Sequence, residues 1–260
     1  MPDILADLRQ RRPIEVPVAL VVAHPDDETI GVGGSLRLFR RLLLVHVTDG
    51  APRNLADARA AGHATAAAYA AARRRELAAA LAEAGVAPTL AELGAADQEA
   101  SFAMPALARA LAGLLRTHRA AAVITHPYEG GHPDHDATAF IVHAACTPET
   151  TVLEMTSYHA DPGGGVAVGR FLPNGTAPCV VELSEAERAA KRAMLGCFVS
   201  QGAVLEGFGV AREAFRPAPS YDFTAPPHPG PLHYERHDWG VTGAQWRGLA
   251  AAALAATVPA

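Results

Sequence analysis

The chain has 260 residues, half of them hydrophobic, and a net charge of −5 at pH 7. That size and composition suit one globular α/β domain with extensions and argue against a disordered chain. The charge lies on both halves, which excludes a basic stripe for nucleic acid and a polybasic membrane-surface segment and leaves a small molecule as the expected partner.

Taken in order, "VPVALVVA" (Val16–Ala23) is an unbroken β-branched and aliphatic run, the pattern of a strand buried on both faces. "GSLRLFRRL" (Gly34–Leu42) reads as helical, and "LLLVHVTDG" (Leu42–Gly50) as a second buried strand ending in a turn. His63–Val86 reads as a long helix stopped by Gly85, and Thr89–Gly94 as a third strand. Met104–Arg119 is an amphipathic helix with Pro105 just inside its start, followed by a fourth strand at Ala120–Pro127. Asp134–Cys146 is expected to be a helix, Thr150–Ala160 a fifth strand and 162–165 a loop. "CVVELS" reads as a further strand, and Glu185–Phe198 as a helix capped by Ser184. From Phe215 to Pro231 the chain is Pro-rich and irregular, with aromatics that suit an ordered arm packed on the domain.

Strands and helices therefore alternate, the signature of βαβ units. The expected fold is α/β and Rossmann-like: a mostly parallel sheet with helices on both faces, plus the Pro-rich C-terminal arm. One domain over residues 1–260 is expected, with its core at about 16–181 and a C-terminal helix and arm at about 182–260. Cys146, Cys179 and Cys197 are far apart and form no Cys-x-x-Cys pair, so buried reduced thiols are expected. The N-terminal segment places Asp3, Asp7, Arg9, Arg11 and Arg12 where a signal peptide would be apolar. No stretch is apolar for long enough to span a bilayer, and a cytoplasmic protein is expected.

In open α/β sheets, ligands bind beyond the carboxyl ends of the strands. Three such ends carry unusual chemistry: "AHPDDE" (Ala23–Glu28), "TDGAPRN" (Thr48–Asn54) and "THPYEGGHPDHDA" (Thr125–Ala137). A catalytic zinc takes about three protein ligands, often two His and a carboxylate, and leaves a position open for water. His24 with the adjacent Asp26 and Asp27 can supply a ligand and a base, because successive residues at a strand end point different ways. His132 and His135, with Asp134 between them, supply the rest. Each piece alone suits a solvated loop or a helix-dipole partner. The two together at one sheet edge point to a metal site. The glycines Gly31–Gly34 fail the G-x-G-x-x-G spacing at Leu36 and read as a packing device instead of a dinucleotide loop.

"AHPDDE" paired with "GGHPDHDA" resembles the PIG-L/LmbE family of zinc-dependent N-acetylglucosaminyl deacetylases, over about Val16 to Val181. The resemblance implies a Rossmann-like sheet and hydrolysis of an N-acetyl group on a sugar or glycoconjugate. It implies Zn2+, with another divalent ion as an option, held by His24, Asp27 and His135. It makes Asp26 the general base, His132 in protonated form the oxyanion stabiliser or proton donor, and Asp134 the orienting partner of His132. Arg73 and Glu76 match the family's R-x-x-E segment, in which the arginine contacts substrate, although a solvated helix face explains them equally well. Asp97 falls where the family has an acid that binds sugar hydroxyls. Asp49 and Arg53, in the same mouth, are weaker substrate-binding candidates. The family's tyrosine two residues before the motif histidine is Gly130 here, and the nearest tyrosine is Tyr128. Glu28 has no assigned role, nor have Tyr221, His228 and His233 of the arm. Alternatives are an amidase for a larger acyl group, a two-His-one-carboxylate Fe(II) enzyme and a non-catalytic sugar-binding relative. A homo-oligomer is compatible with all of these.

Overall fold

The computed structural model describes residues 3–161 and 163–257. Pro162 of the expected loop, and the extreme ends of the expected single domain (1–2 and 258–260), lie outside the described residues. A short helix α1 (Ile4–Arg9), capped by the Asp3 carboxylate, leads into β1 (Val18–Val22). α2 (Asp27–Val32), β2 (Leu42–Thr48), α3 (Ala56–Ala60), α4 (Ala66–Glu83) and β3 (Thr89–Ala95) follow. Then come α5 (Met104–His118), β4 (Ala122–Thr125), α6 (Pro133–Ala145) and β5 (Thr151–Met155). The remaining elements are β6 (Tyr158–Ala160), β7 (Val166–Val168), β8 (Cys179–Glu182), α7 (Glu185–Gly196), α8 (Gly202–Leu205), β9 (Arg212–Pro217) and α9 (Gly243–Thr257).

Seven strands form one sheet in the order β3-β2-β1-β4-β5-β9-β8. The first five are parallel, and β9 runs antiparallel between β5 and β8. The continuous apolar run of β1 has the expected cause. Val18, Leu20 and Val22 pack on one side with Leu77 and Leu81 of α4 and Met194 of α7. Ala19 and Val21 pack on the other with Leu107 and Leu111 of α5, Phe140 of α6 and Trp246 of α9. Each such fully buried Val or Leu contributes about 1.5–3 kcal/mol. The chain winds outward from β1 to β3 and then crosses back to β4 on the other side of β1. The connections after β1 and β4 therefore diverge and open a crevice at their carboxyl ends, the place where such sheets bind ligands.

Four expectations change. The segment after Gly34 is a single 3₁₀ turn (Leu36–Leu38), because the helix begins earlier, inside the acidic motif, and ends before the glycine pair. The fifth strand is two: the chain leaves the sheet at Thr156–Ser157, and β6 pairs antiparallel with β7. Gly163–Gly165 connect them. Phe215, expected to begin the irregular arm, lies inside β9. The long helix expected from His63 is α4 and starts at Ala66, since Thr65 caps it by accepting the Ala68 N–H, and the short α3 precedes it unexpected. Gly31 keeps its packing role: a Cβ there would meet the Met155 sulfur at 2.1 Å.

Candidate active site

The site is built where α2 and α6 begin. Asp26 ends the turn after β1 with φ +146°, a conformation that costs a non-glycine residue about 1–3 kcal/mol. Its neighbours hold it there. The fully buried Glu28 accepts the Asp26 N–H (3.1 Å), the Thr29 hydroxyl (2.6 Å) and a contact from His46 Nε2 (3.2 Å). Arg73, buried on α4, donates from Nη2 to the Pro25 carbonyl (2.6 Å) and to Asp26 Oδ2 (2.9 Å). Burial pushes the Asp26 carboxyl up to about 8 against the pull of Arg73.

Asp27 opens α2, where the helix dipole favours an acid. Its Oδ2 accepts the His24 N–H (2.8 Å) and lies 3.3 Å from His24 Nδ1, while Oδ1 lies 3.2 Å from His135 Nε2. One donor atom each from His24, Asp27 and His135 thus falls within 4.8 Å of the others. His24 Nε2 faces away from this trio, toward Asp97 Oδ1 (3.1 Å) and Asp134 Oδ2 (3.3 Å). Burial disfavours a charged His24 ring, but Asp97 and the surrounding carboxylates outweigh it and raise the pKa well above its ordinary value. The field that keeps a proton on His24 also attracts a cation, so metal uptake would release that proton. A second group, His24 with Asp97, His132 and Asp134, also meets the spacing for an ion.

His132 is the N-cap of α6, and its Nδ1 accepts the Asp134 N–H (3.1 Å). An accepting Nδ1 puts the ring proton on Nε2, which lies 3.9 Å from Asp97. Burial, followed by the charge of His24, lowers the His132 pKa well below its ordinary value. The structure therefore favours a neutral N–H donor over the protonated ring expected from sequence. Asp134 lies 3.9 Å from His132 Nδ1, and its carboxylate is engaged elsewhere. It accepts from the amides of Gln98 (2.6 Å) and Ala100 (3.1 Å) and contacts His24, so it braces His24 more than it orients His132.

Arg73 and Asp97 line the same cavity, of about 470 Å³, as His24, Asp26, Asp27, His132 and His135. Asp49 and Arg53 do not. Asp49 accepts the amides of Ala51 (3.0 Å) and Asp97 (3.3 Å), bracing the loop that presents Asp97. Arg53 is exposed and pairs with Glu99 at 3.3 Å. Glu76 accepts the Ser200 amide (2.8 Å) and hydroxyl (2.6 Å). Tyr128 donates to the Ala225 carbonyl, away from the cavity. The cavity tyrosine is instead Tyr158 of β6, edge-on to His135 at 5.4 Å.

Gly131 explains the sharp approach of these two segments, since a Cβ there would sit 2.0 Å from the Tyr158 carbonyl oxygen. Sequence reasoning also missed His126 and Trp239. His126 stacks on His135 (3.9 Å, 7°), and its Nε2 accepts the Ala23 N–H (3.1 Å) and lies 3.3 Å from Asp27. Trp239 packs on His132 at 4.5 Å. His126 sits inside a motif already noticed, whereas no pattern marks Tyr158 or Trp239. Of the arm residues, Tyr221 donates to Glu154, His228 contacts the Pro229 carbonyl, and His233 lies behind Tyr158.

Several solved structures share the fold. An A40926 pseudoaglycone deacetylase, Dbv21, has a TM-score of 0.61 at 19% identity over 78% of this chain and 97% of that one. The zinc-inhibited form of teicoplanin deacetylase Orf2 has a TM-score of 0.60 at 16% identity over 79% and 100%. A 4-carboxy-2-hydroxymuconate hydratase, GalB from Pseudomonas putida KT2440, has a TM-score of 0.55 at 18% identity over 80% and 99%. The fold therefore hosts more than one reaction and does not by itself choose among them. No curated protein sequence matches the chain. Residues 19–146, which carry both motifs, match the family described as PIG-L, GlcNAc-PI de-N-acetylase, so the chain carries a PIG-L family domain there.

Proposed function

We propose that this protein is a metal-dependent N-deacetylase that removes the acetyl group from an N-acetylglucosamine-type sugar or conjugate. The observation that carries the reading is a division of labour between adjacent acids. Asp27 joins His24 and His135, while Asp26 stands beside them in the cavity, its carboxylate paired with Arg73. Two imidazoles and one carboxylate suit Zn2+ and leave a coordination position free. When bound, such an ion polarises the amide carbonyl and lowers the pKa of water to about 7.

The remaining work falls to this chain's side chains. Asp26 takes a proton from the attacking water as its oxygen bonds to the carbonyl carbon. His132 donates from Nε2–H to the oxyanion, a contribution of roughly 10²–10³ in rate for a preorganised donor. Asp26 then passes its proton to the nitrogen as the C–N bond breaks, giving acetate and a free amine. Arg73 orients the Asp26 carboxylate, and Asp97 and Asp134 fix the His24 ring through Nε2, as carboxylates commonly do for metal-binding histidines. This assigns Arg73 and Asp97 to positioning in addition to any contact with substrate.

Several of the neighbours are deacetylases, although the hydratase is not. Among similar folds are a deacetylase–teicoplanin complex and a deacetylase–bog complex from teicoplanin biosynthesis. Among the described residues no helix is long and apolar enough to cross a membrane. The test is release of acetate and of a primary amine, measured together, from a panel of N-acetylglucosamine derivatives with zinc-loaded protein. Stoichiometric release of both supports the reading. Turnover of an unsaturated acid by hydration, with no amide cleavage, would overturn it.

A further inference from the structure

A second cavity, of about 570 Å³, lies at the other end of the sheet from the candidate active site. Leu42 and Thr89, the first residues of β2 and β3, stand in its wall, so it opens at the amino ends of these strands. Arg37, Arg40, Arg41 and His118 line it, and no Asp or Glu does. Apart from Thr89, the rest of its lining is apolar or glycine. The chain as a whole carries a net charge of −5, so an all-basic cavity is not a by-product of a basic surface.

The backbone that carries these arginines is held in place. The Ile14 N–H donates to the Leu38 carbonyl (2.8 Å), and the Ile14 carbonyl accepts the Arg40 N–H (3.0 Å). The Arg41 carbonyl accepts the Val18 N–H (3.0 Å) and faces His118 Nε2 (3.3 Å). Arg37 has a structural task, since its Nε donates to the carbonyl of Ala84 at the C-cap of α4, where a cation suits the helix dipole. Arg40 and Arg41 have none. Their side chains are exposed and have no hydrogen-bond or ion-pair partner among the described residues. A lone arginine on open surface needs no partner, but three on the wall of one cavity repel one another until an anion joins them.

We propose that this cavity binds a small organic phosphate, its phosphate held by Arg37, Arg40 and Arg41 and its organic part lying on Val86, Ala87 and Pro88. A guanidinium presents paired N–H donors that match two phosphate oxygens, and it is more weakly hydrated than an ammonium. A phosphate dianion offers these cations more charge and more acceptors than one carboxylate does. The volume falls in the range of small-molecule sites, and the apolar wall gives the organic part a surface to cover. A nucleic acid fits less well, because a concave spot meets one phosphate and not the row along a backbone. This inference stands apart from the deacetylase reading.

The experiment titrates phenyl phosphate, inorganic phosphate and phenol into wild-type, Arg40→Ser, Arg41→Ser and Arg192→Ser proteins, by calorimetry in about 0.15 M salt. Phenyl phosphate should bind saturably, and each cavity substitution should weaken it about tenfold or more, as loss of a charged hydrogen bond does. Arg192 is exposed on α7 and absent from the lining; its substitution removes the same charge at a screened distance and should change affinity by less than about twofold. Inorganic phosphate should bind more weakly than phenyl phosphate, and phenol should not bind. No saturable binding of phenyl phosphate overturns the site. Affinity unchanged in both cavity variants overturns it by sending the phosphate elsewhere on the protein. An equal loss in Arg192→Ser overturns it by reducing the effect to overall charge. Inorganic phosphate bound as tightly as phenyl phosphate overturns the organic ligand. Binding of a DNA duplex or of phosphatidylserine vesicles that depends on Arg40 and Arg41, without binding of phenyl phosphate, overturns it by assigning these arginines to a polyanion.

Discussion

Replacing Glu28 with alanine should damage catalysis although Glu28 touches neither substrate nor metal ligand in the proposed scheme. Its carboxylate accepts the Asp26 N–H at 3.1 Å and contacts His46 Nε2 at 3.2 Å, both in buried surroundings. A buried donor left without an acceptor costs about 1–3 kcal/mol, so the two together cost about 2–6 kcal/mol. That is a large share of the roughly 5–15 kcal/mol available to a domain. Freed of this bond, the backbone at Asp26 relaxes from φ +146° and carries the proposed base with it. A displacement on the order of 1 Å costs about 10²-fold in rate. Glu28→Gln is the control. Its amide oxygen can accept from Asp26 while its NH2 donates to the Thr29 hydroxyl, so most activity should survive. The assay pairs kcat for acetate release with urea unfolding and metal content. Wild-type kcat in Glu28→Ala, with unchanged stability, would refute the buttress.

Asp26→Asn should bind zinc normally yet lose at least about 10²-fold in kcat, the contribution of one positioned acid–base group; metal analysis alongside turnover checks both halves. His135→Ala should lose bound metal on purification, and chelation of the wild-type protein should lower its melting temperature, which added zinc restores, because the ion binds only the folded arrangement. Burial pushes the Glu129 carboxyl up to about 8 even against Arg216. A carboxyl raised above its unfolded value stabilises the fold at low pH, and that stability is lost as pH rises from its ordinary range through about 8. Glu129→Gln should therefore flatten the decline in unfolding free energy over that window; an identical slope in the variant rules the assignment out.

The parallel half of the sheet was legible because β1, β2 and β4 bury both faces and so read as apolar runs. The two strand-end motifs were legible because carboxylates and histidines gather there with no structural need. β9 was not, for a physical reason. Glu213 and Arg216 are charged yet buried, satisfied by Lys191 (2.8 Å) and by Glu154 (2.7 Å) and Glu129 (3.0 Å). A pattern that scores apolar residues reads such a strand as loop. α9 is alanine-rich, which favours a helix without saying what it packs on, and the buried Trp246, donating to the Pro133 carbonyl at 3.1 Å, ties it to the site helix. Arg73 and Asp97 were noticed but cast as substrate contacts, because the φ of Asp26 and the orientation of the His24 ring, which give them other work, have no sequence signature.

The crossover from β3 back to β4 has a consequence for how the protein matures. His24 and Asp27 follow β1, while His135 opens the helix after β4. On the proposed metal-site reading, a nascent chain that has folded only through β3 owns half a binding site and would grip an ion only weakly. High affinity would arrive when β4 docks beside β1 and closes the long loop between the two motifs. Metal affinity would thus report on assembly of the sheet's centre, and a folding intermediate lacking that seam would not compete for the ion.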